Sequence, residues 1–112
     1  MKLNYVIKYV ADMNTAVEFF RDRLGVELRF ESPHWTEFST GDTTLALHIA
    51  SDSHPAGSAS LGFGVADIDA FYRTAKSDGI EFTAEPTETF GVRIAKFKDS
   101  EGAECSVSGN RN

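Results

Sequence analysis

The chain has 112 residues, 41% of them hydrophobic, and a net charge of −6 from 17 acidic against 11 basic residues. That length suits one compact domain. No apolar run approaches the roughly 20 residues of a membrane span, and Lys and Arg are too scattered to grip a phosphate backbone, so neither membrane nor nucleic acid is an expected partner.

The first stretch, NYVIKYV, alternates Val6 and Val10 with Tyr5, Ile7 and Tyr9, a strand pattern. Its opening MKLNYVIKYV lacks the plan of a signal peptide. Together with a lone cysteine, Cys105, which excludes an internal disulfide, this points to the cytoplasm. Asp12 can cap a helix whose apolar stripe is Met13, Ala16, Val17, Phe20 and Leu24, with Gly25 as its stop. Strand-like segments follow at 26–31, 35–39 and 44–50. The last, TLALHIA, sets Leu45, Leu47 and Ile49 against Ala46, His48 and Ala50. Ser51 to Ala59, SDSHPAGSA, is rich in turn formers.

Then the pattern repeats. SLGFGVADIDAFYRTA is again strand, V-A-D and amphipathic helix, offset by 55 residues when Val10-Ala11-Asp12 is laid on Val65-Ala66-Asp67. The second helix has Ile68, Phe71 and Ala75 on one stripe and ends at Gly79. Further strands are expected at 80–84, 93–97 and 104–108. The reading is an α+β fold, a single domain of two βαβββ modules: module one over 1–50, a loop over 51–59, and module two over 60–108. Helices should cover one face of each mixed sheet and leave a concave cavity on the other. Parity assigns that free face Tyr5, Ile7, Tyr9, Trp35, Glu37, Ala46, His48, Ser60, Gly62, Gly64, Glu104 and Ser106. Lys8 is the misfit, since parity puts it under the helix.

YVADMNTAVEFFRDRLGVEL, GFGVADIDAFYRTAKSDGIEF and the closing DSEGAECSV, in this order, resemble the vicinal oxygen chelate superfamily. That superfamily includes glyoxalases, fosfomycin resistance enzymes, extradiol dioxygenases and bleomycin-binding resistance proteins. The resemblance covers residues 3–108. In its metal enzymes, ligands stand at four positions, which the resemblance carries onto Tyr5, Ala46, Ser60 and Ser106. None of these is a good divalent ligand, because such sites need converging carboxylates or imidazoles. The resemblance therefore implies a member without metal or other cofactor. FESPHWTEFSTGDTTLALHIA also echoes the bleomycin-binding proteins.

Three residues have two readings each. His48 is an acid/base or replacement metal ligand, or a cavity wall making one hydrogen bond; the wall is preferred. Trp35 is a platform for a ligand or an interface, or ordinary core. Arg93 anchors an anionic ligand or pairs with a surface acid. His34 and His54 sit in polar turns and are expected to be exposed. Cys105 shares parity with Val107 and should be buried and inert, and Glu81, Glu85 and Glu88 read as a solvated loop. No catalytic residue is assigned.

The expected function is binding rather than catalysis: sequestration of a small, partly aromatic molecule, as in antibiotic resistance, by a homodimer. The expected ligand site is Tyr5, Ile7, Tyr9, Trp35, Glu37, His48, Ser60, Arg93, Glu104 and Ser106. The carboxylates Glu37 and Glu104 among rings point to a cationic aromatic ligand. The alternative is a lyase or dioxygenase-like enzyme with a metal displaced onto His48.

Overall fold

A computed structural model describes residues 1–110. These form eight strands and two helices in an α+β arrangement. The chain divides into two compact units, Asn4–Ala59 and the residues from Ser60 onward together with Met1–Leu3.

In the first unit, β1 (Lys2–Val10) leads into α1 (Met13–Glu18), which continues as a π-helical turn over Phe19–Arg23. Then come β2 (Glu27–Phe30), β3 (Trp35–Ser39) and β4 (Thr44–Ile49). The strand order is β2-β3-β4-β1. β4 runs parallel to β1 and antiparallel to β3, so the sheet is mixed. The second unit repeats this plan with β5 (Ala59–Asp67), α2 (Ile68–Ser77), β6 (Phe82–Thr89), β7 (Val92–Lys98) and β8 (Glu104–Asn110), in the order β5-β8-β7-β6. β8 is parallel to β5 and antiparallel to β7.

The internal repeat extends to the helix caps. Asp12 has φ −132° and ψ 110°, and its carboxylate accepts from the backbone N–H of Asn14 and Thr15. Asp67 has φ −131° and ψ 100° and accepts from Ala70 N–H. An extended capping residue with a short acidic side chain satisfies the orphan donors of a helix start.

Each helix buries one stripe on its own sheet. In the first unit Met13, Val17, Phe38 and Leu47 form the core, with Val10, Phe20, Leu28, Leu45 and Ile49 packed around them. In the second, Ile68, Ala95 and Val107 are joined by Phe63, Val65, Phe71, Phe82 and Phe97. Leu24, expected on the first stripe, is 58% exposed. The wider π turn, in which Leu24 N–H reaches Phe19 O, rotates it off the stripe. Gly25 follows at φ +74°, a conformation that ends the helix at little cost only for glycine.

The acidic run also departs from expectation. Glu85 and Glu88 are exposed as expected, but they belong to β6 rather than to a loop. β6 is the last strand in its unit's order, and of its two register irregularities the one between Ala84 and Thr87 accommodates Pro86. Lys8 is half-buried, and its Nζ donates to Gly57 O at 2.7 Å.

Cys105 is buried, and loss of solvation pushes its thiol pKa up, with Asp99 adding in the same direction. Thiolates are the reactive form. Cys105 should react with a thiol reagent at pH 8 at least roughly tenfold more slowly in the native protein than in urea. A thiol whose folded pKa is raised binds more protons folded than unfolded. Its contribution to stability is therefore complete below the unfolded thiol range and lost as pH rises through the folded value. Equal labelling rates would show that the β8 core face is open.

Candidate functional site

Helix contacts use up one face of the first unit's sheet, and the opposite face collects the candidate site. Register brings it together. Tyr9 stands opposite His48, and Ile7 opposite Ala46, across the parallel β1–β4 ladder. Trp35 stands opposite His48, and Glu37 opposite Ala46, across β3–β4. The rings form a continuous series. Tyr5 and Trp35 meet edge to face at 6.0 Å, and Trp35 and His48 likewise at 6.0 Å. Tyr9 lies 5.6 Å from His48 and stacks on His54 at 4.4 Å with planes 18° apart. Such geometries suit ring quadrupoles.

His54 is thus half-buried, not the exposed turn residue expected. The segment after β4 is pinned to β1: Tyr9 N–H donates to Ser58 O and Gly57 N–H to Tyr9 O, both at 2.9 Å. That backbone anchoring sets the imidazole over the phenol ring. His34 is exposed, as expected.

Trp35 is held from two sides. Its backbone N–H donates to Ser32 Oγ at 3.0 Å, which fixes the strand start. Its indole Nε1–H donates to Glu37 Oε2 at 2.8 Å. The other carboxylate oxygen, Oε1, accepts from Arg29 Nη2 at 2.9 Å, and the same Nη2 donates to Thr44 Oγ1 at 2.5 Å. Glu37 is therefore neutralised and both of its oxygens are occupied. This removes the basis for a cationic ligand drawn to Glu37.

Arg29 was absent from the sequence-derived site, yet its alternation with Leu28 already placed it opposite the helix side. A β-bulge between Leu28 and Phe30 gives this edge an extra residue. One consequence is that Phe30 is 53% exposed rather than packed beneath α1.

His48 is exposed, and its Nδ1 lies 2.7 Å from Ile49 O. A carbonyl only accepts, so Nδ1 carries the proton. In the neutral ring, Nε2 then bears the lone pair.

In the second unit, Ser60 lies on β5, and Ser106 pairs with Gly62 across β5–β8. Glu104 Oε2 accepts from Thr83 Oγ1 at 2.7 Å, and Lys96 Nζ lies 3.9 Å from Oε1, so this carboxylate is also compensated. Arg93 stands apart from these. It shares the helix-covered face with Ala95 and Phe97, where its Nη2 and Nε pair with the Asp69 carboxylate at 2.7 and 3.1 Å. That hydrogen-bonded pairing raises its pKa further. Of its two sequence readings, the structure displays the ion pair.

The metal positions implied by family resemblance hold a phenol, a methyl and two hydroxyls at Tyr5, Ala46, Ser60 and Ser106. This donor set does not fit a divalent ion. Nor do three His, Cys, Asp or Glu side chains converge anywhere among the described residues. Glu37, with both oxygens bonded, is not free to join His48.

An open cleft of about 660 Å³ lies elsewhere in the first unit, walled by Ala11, Asp12, Met13, Asn14, Glu31, Ser32, Pro33 and Ile49. Asp12 is committed to the helix cap and Ser32 to the start of β3. No helix among the described residues is long and apolar enough to cross a membrane.

Two βαβββ units, each with its first and last strands parallel and its helix on one face, define a glyoxalase-like architecture. The chain belongs to the Glyoxalase/Bleomycin resistance protein/Dioxygenase superfamily, whose family model matches residues 2–107. It is 31% identical over 119 residues to the uncharacterised protein YurT of Bacillus subtilis, covering 91% of this chain and 94% of that one. Among solved structures it is similar to the NAD-dependent benzaldehyde dehydrogenase of Legionella pneumophila, with TM-score 0.77, 19% identity, and 96% and 99% of the two chains covered. It is likewise similar to methylmalonyl-CoA epimerase of Mycobacterium tuberculosis, with TM-score 0.76, 21% identity, and 99% and 89% covered. At such identities these two show the fold alone.

Proposed function

We propose that the protein binds a small, flat, partly aromatic molecule on the helix-free face of its first unit, without a metal ion. The observation that carries this reading is the series Tyr5, Trp35, His48, Tyr9 and His54, with neighbouring rings 4.4 to 6.0 Å apart. Three features support it. The rings are fixed by backbone register and by the Glu37 hydrogen bond. Stacking on a fixed ring costs little side-chain entropy. The donor set at the family's metal positions is unsuited to a divalent ion.

Trp35 is the only tryptophan, so its emission reports on this face directly. Titration with a panel of flat aromatic compounds should change that emission saturably. Tyr5→Ala should weaken binding by roughly fivefold to tenfold, the worth of one aromatic contact, because Tyr5 is half-buried whereas Tyr9 is buried under His54. A response that never saturates, or one indifferent to Tyr5→Ala, would place the ligand elsewhere.

One observation favours a second reading, an enzyme using acid–base chemistry. Ile49 O fixes the His48 tautomer and leaves the lone pair of the neutral ring on Nε2, where it can act as a base. Loss of turnover in His48→Gln, with ligand binding retained, would select it.

A further inference from the structure

Resting on the aromatic-ligand reading above, we infer that the ligand carries a carboxylate, or a comparable anionic group, which Arg29 engages. Arg29 is the one cation tied into the ring face by the contacts described, and it is only partly spent. A guanidinium has five N–H donors. Both bonds Arg29 makes among the described residues leave from Nη2, to Glu37 and Thr44. The donors on Nε and Nη1 have no partner there. The side chain is 45% exposed, so these donors are open to a ligand.

Its position is set rather than incidental. Glu37 bridges Arg29 on one oxygen and the Trp35 indole on the other, which fixes the guanidinium beside the aromatic platform. Preorganised donors lose less freedom when an anion arrives. A cationic ligand finds no such counterpart. Glu37 is 20% exposed and has both oxygens occupied, and displacing Arg29 from it would leave two charges to be re-solvated. The net charge of −6 opposes any anion at long range. Salt screens that repulsion over about 8–10 Å, whereas a charge-assisted N–H···O contact acts at bonding distance and survives salt far better.

The test uses three matched probes, 2-naphthoate, 2-naphthamide and 2-naphthylmethylamine, measured by equilibrium dialysis at 0.15 M salt. The naphthoate should bind about tenfold tighter than the amide, and the amine no better than the amide. Arg29→Gln should reduce the naphthoate to the level of the amide, while Arg29→Lys keeps part of the preference. Thermal melts confirm that each variant is folded. If naphthoate and naphthamide bind equally, or the amine binds tightest, the carboxylate assignment is overturned while the aromatic reading stands. If none of the three binds in a Trp35-dependent way, both fall. A preference for naphthoate that persists undiminished in Arg29→Gln assigns the anion to another group and overturns the role of Arg29.

Discussion

Phe38→Ala should remove about 3–5 kcal/mol of stability, the range for deleting a fully buried aromatic ring. Phe38 is 0% exposed and lies at the centre of the first unit's core. Its ring contacts Phe20 at 5.9 Å, and Met13, Val17 and Leu47 close around it. These neighbours come from α1, the π turn after it and β4, and β4 is itself held between β1 and β3 by strand register. They are poorly placed to collapse into the space, so the cavity cost adds to the lost transfer energy. A small domain commonly holds only about 5–15 kcal/mol in total. The variant should therefore unfold at a urea concentration roughly 2 M lower, given a denaturant slope of about 1–3 kcal/mol per molar. Trp35 lies on the same strand as Phe38, so its emission follows this unit. Phe38→Leu should lose far less. A loss below about 1 kcal/mol for the alanine variant would mean that this ring is not the centre of the core.

That core was legible in the sequence because its signals are local and redundant. Asp12 and Asp67 each follow a Val-Ala pair and precede an apolar stripe. The repetition of this arrangement 55 residues apart made each half evidence for the other. β3 has the bounds that alternation gave it, since Thr36 and Phe38 point one way and Trp35 and Glu37 the other. The free face of the first unit followed from the same parity.

What parity could not supply was the partner of each polar group. Glu37 read as an available carboxylate because Arg29 lies on a different strand, and only folding brings it within 2.9 Å. His54 read as a turn residue because its stacking on Tyr9 depends on two long-range backbone hydrogen bonds. The π turn after Glu18 leaves the 3.6-residue stripe nearly unchanged in composition while rotating Leu24 away from the sheet. Arg93 has an environment decided by Asp69, 24 positions away on α2. In each case the missing information was a pairing between distant segments, which the ligand chemistry of this face depends on.

Gly109→Ala should be the second severe lesion, and it strikes the other unit. Gly109 faces Val65 across the parallel β5–β8 ladder and Arg93 across the antiparallel β7–β8 ladder. A Cβ at this position would lie 2.4 Å from Val65 O, 3.1 Å from Val65 Cγ2 and 3.2 Å from Val65 C. The first contact is far inside van der Waals distance, and its partner is backbone, which cannot swing aside as a flexible side chain would. Relief requires the two strands to separate or β8 to shift. Separation breaks ladder hydrogen bonds, and a shift misaligns Val107, which is wholly buried beside Ile68 and Ala95. Overpacking of this kind costs about 1–3 kcal/mol where side chains can adjust and more where backbone must move. A loss of about 3 kcal/mol corresponds to a fall in melting temperature of roughly 10–15 °C for a chain of this size. Ser108→Ala, one residue away, adds no atoms and should stay within about 1 kcal/mol of the parent. Circular dichroism melts of the pair provide the comparison. If Gly109→Ala melts within two or three degrees of Ser108→Ala, then β5 and β8 do not approach at the described spacing, and the parallel closure of the second unit is wrong.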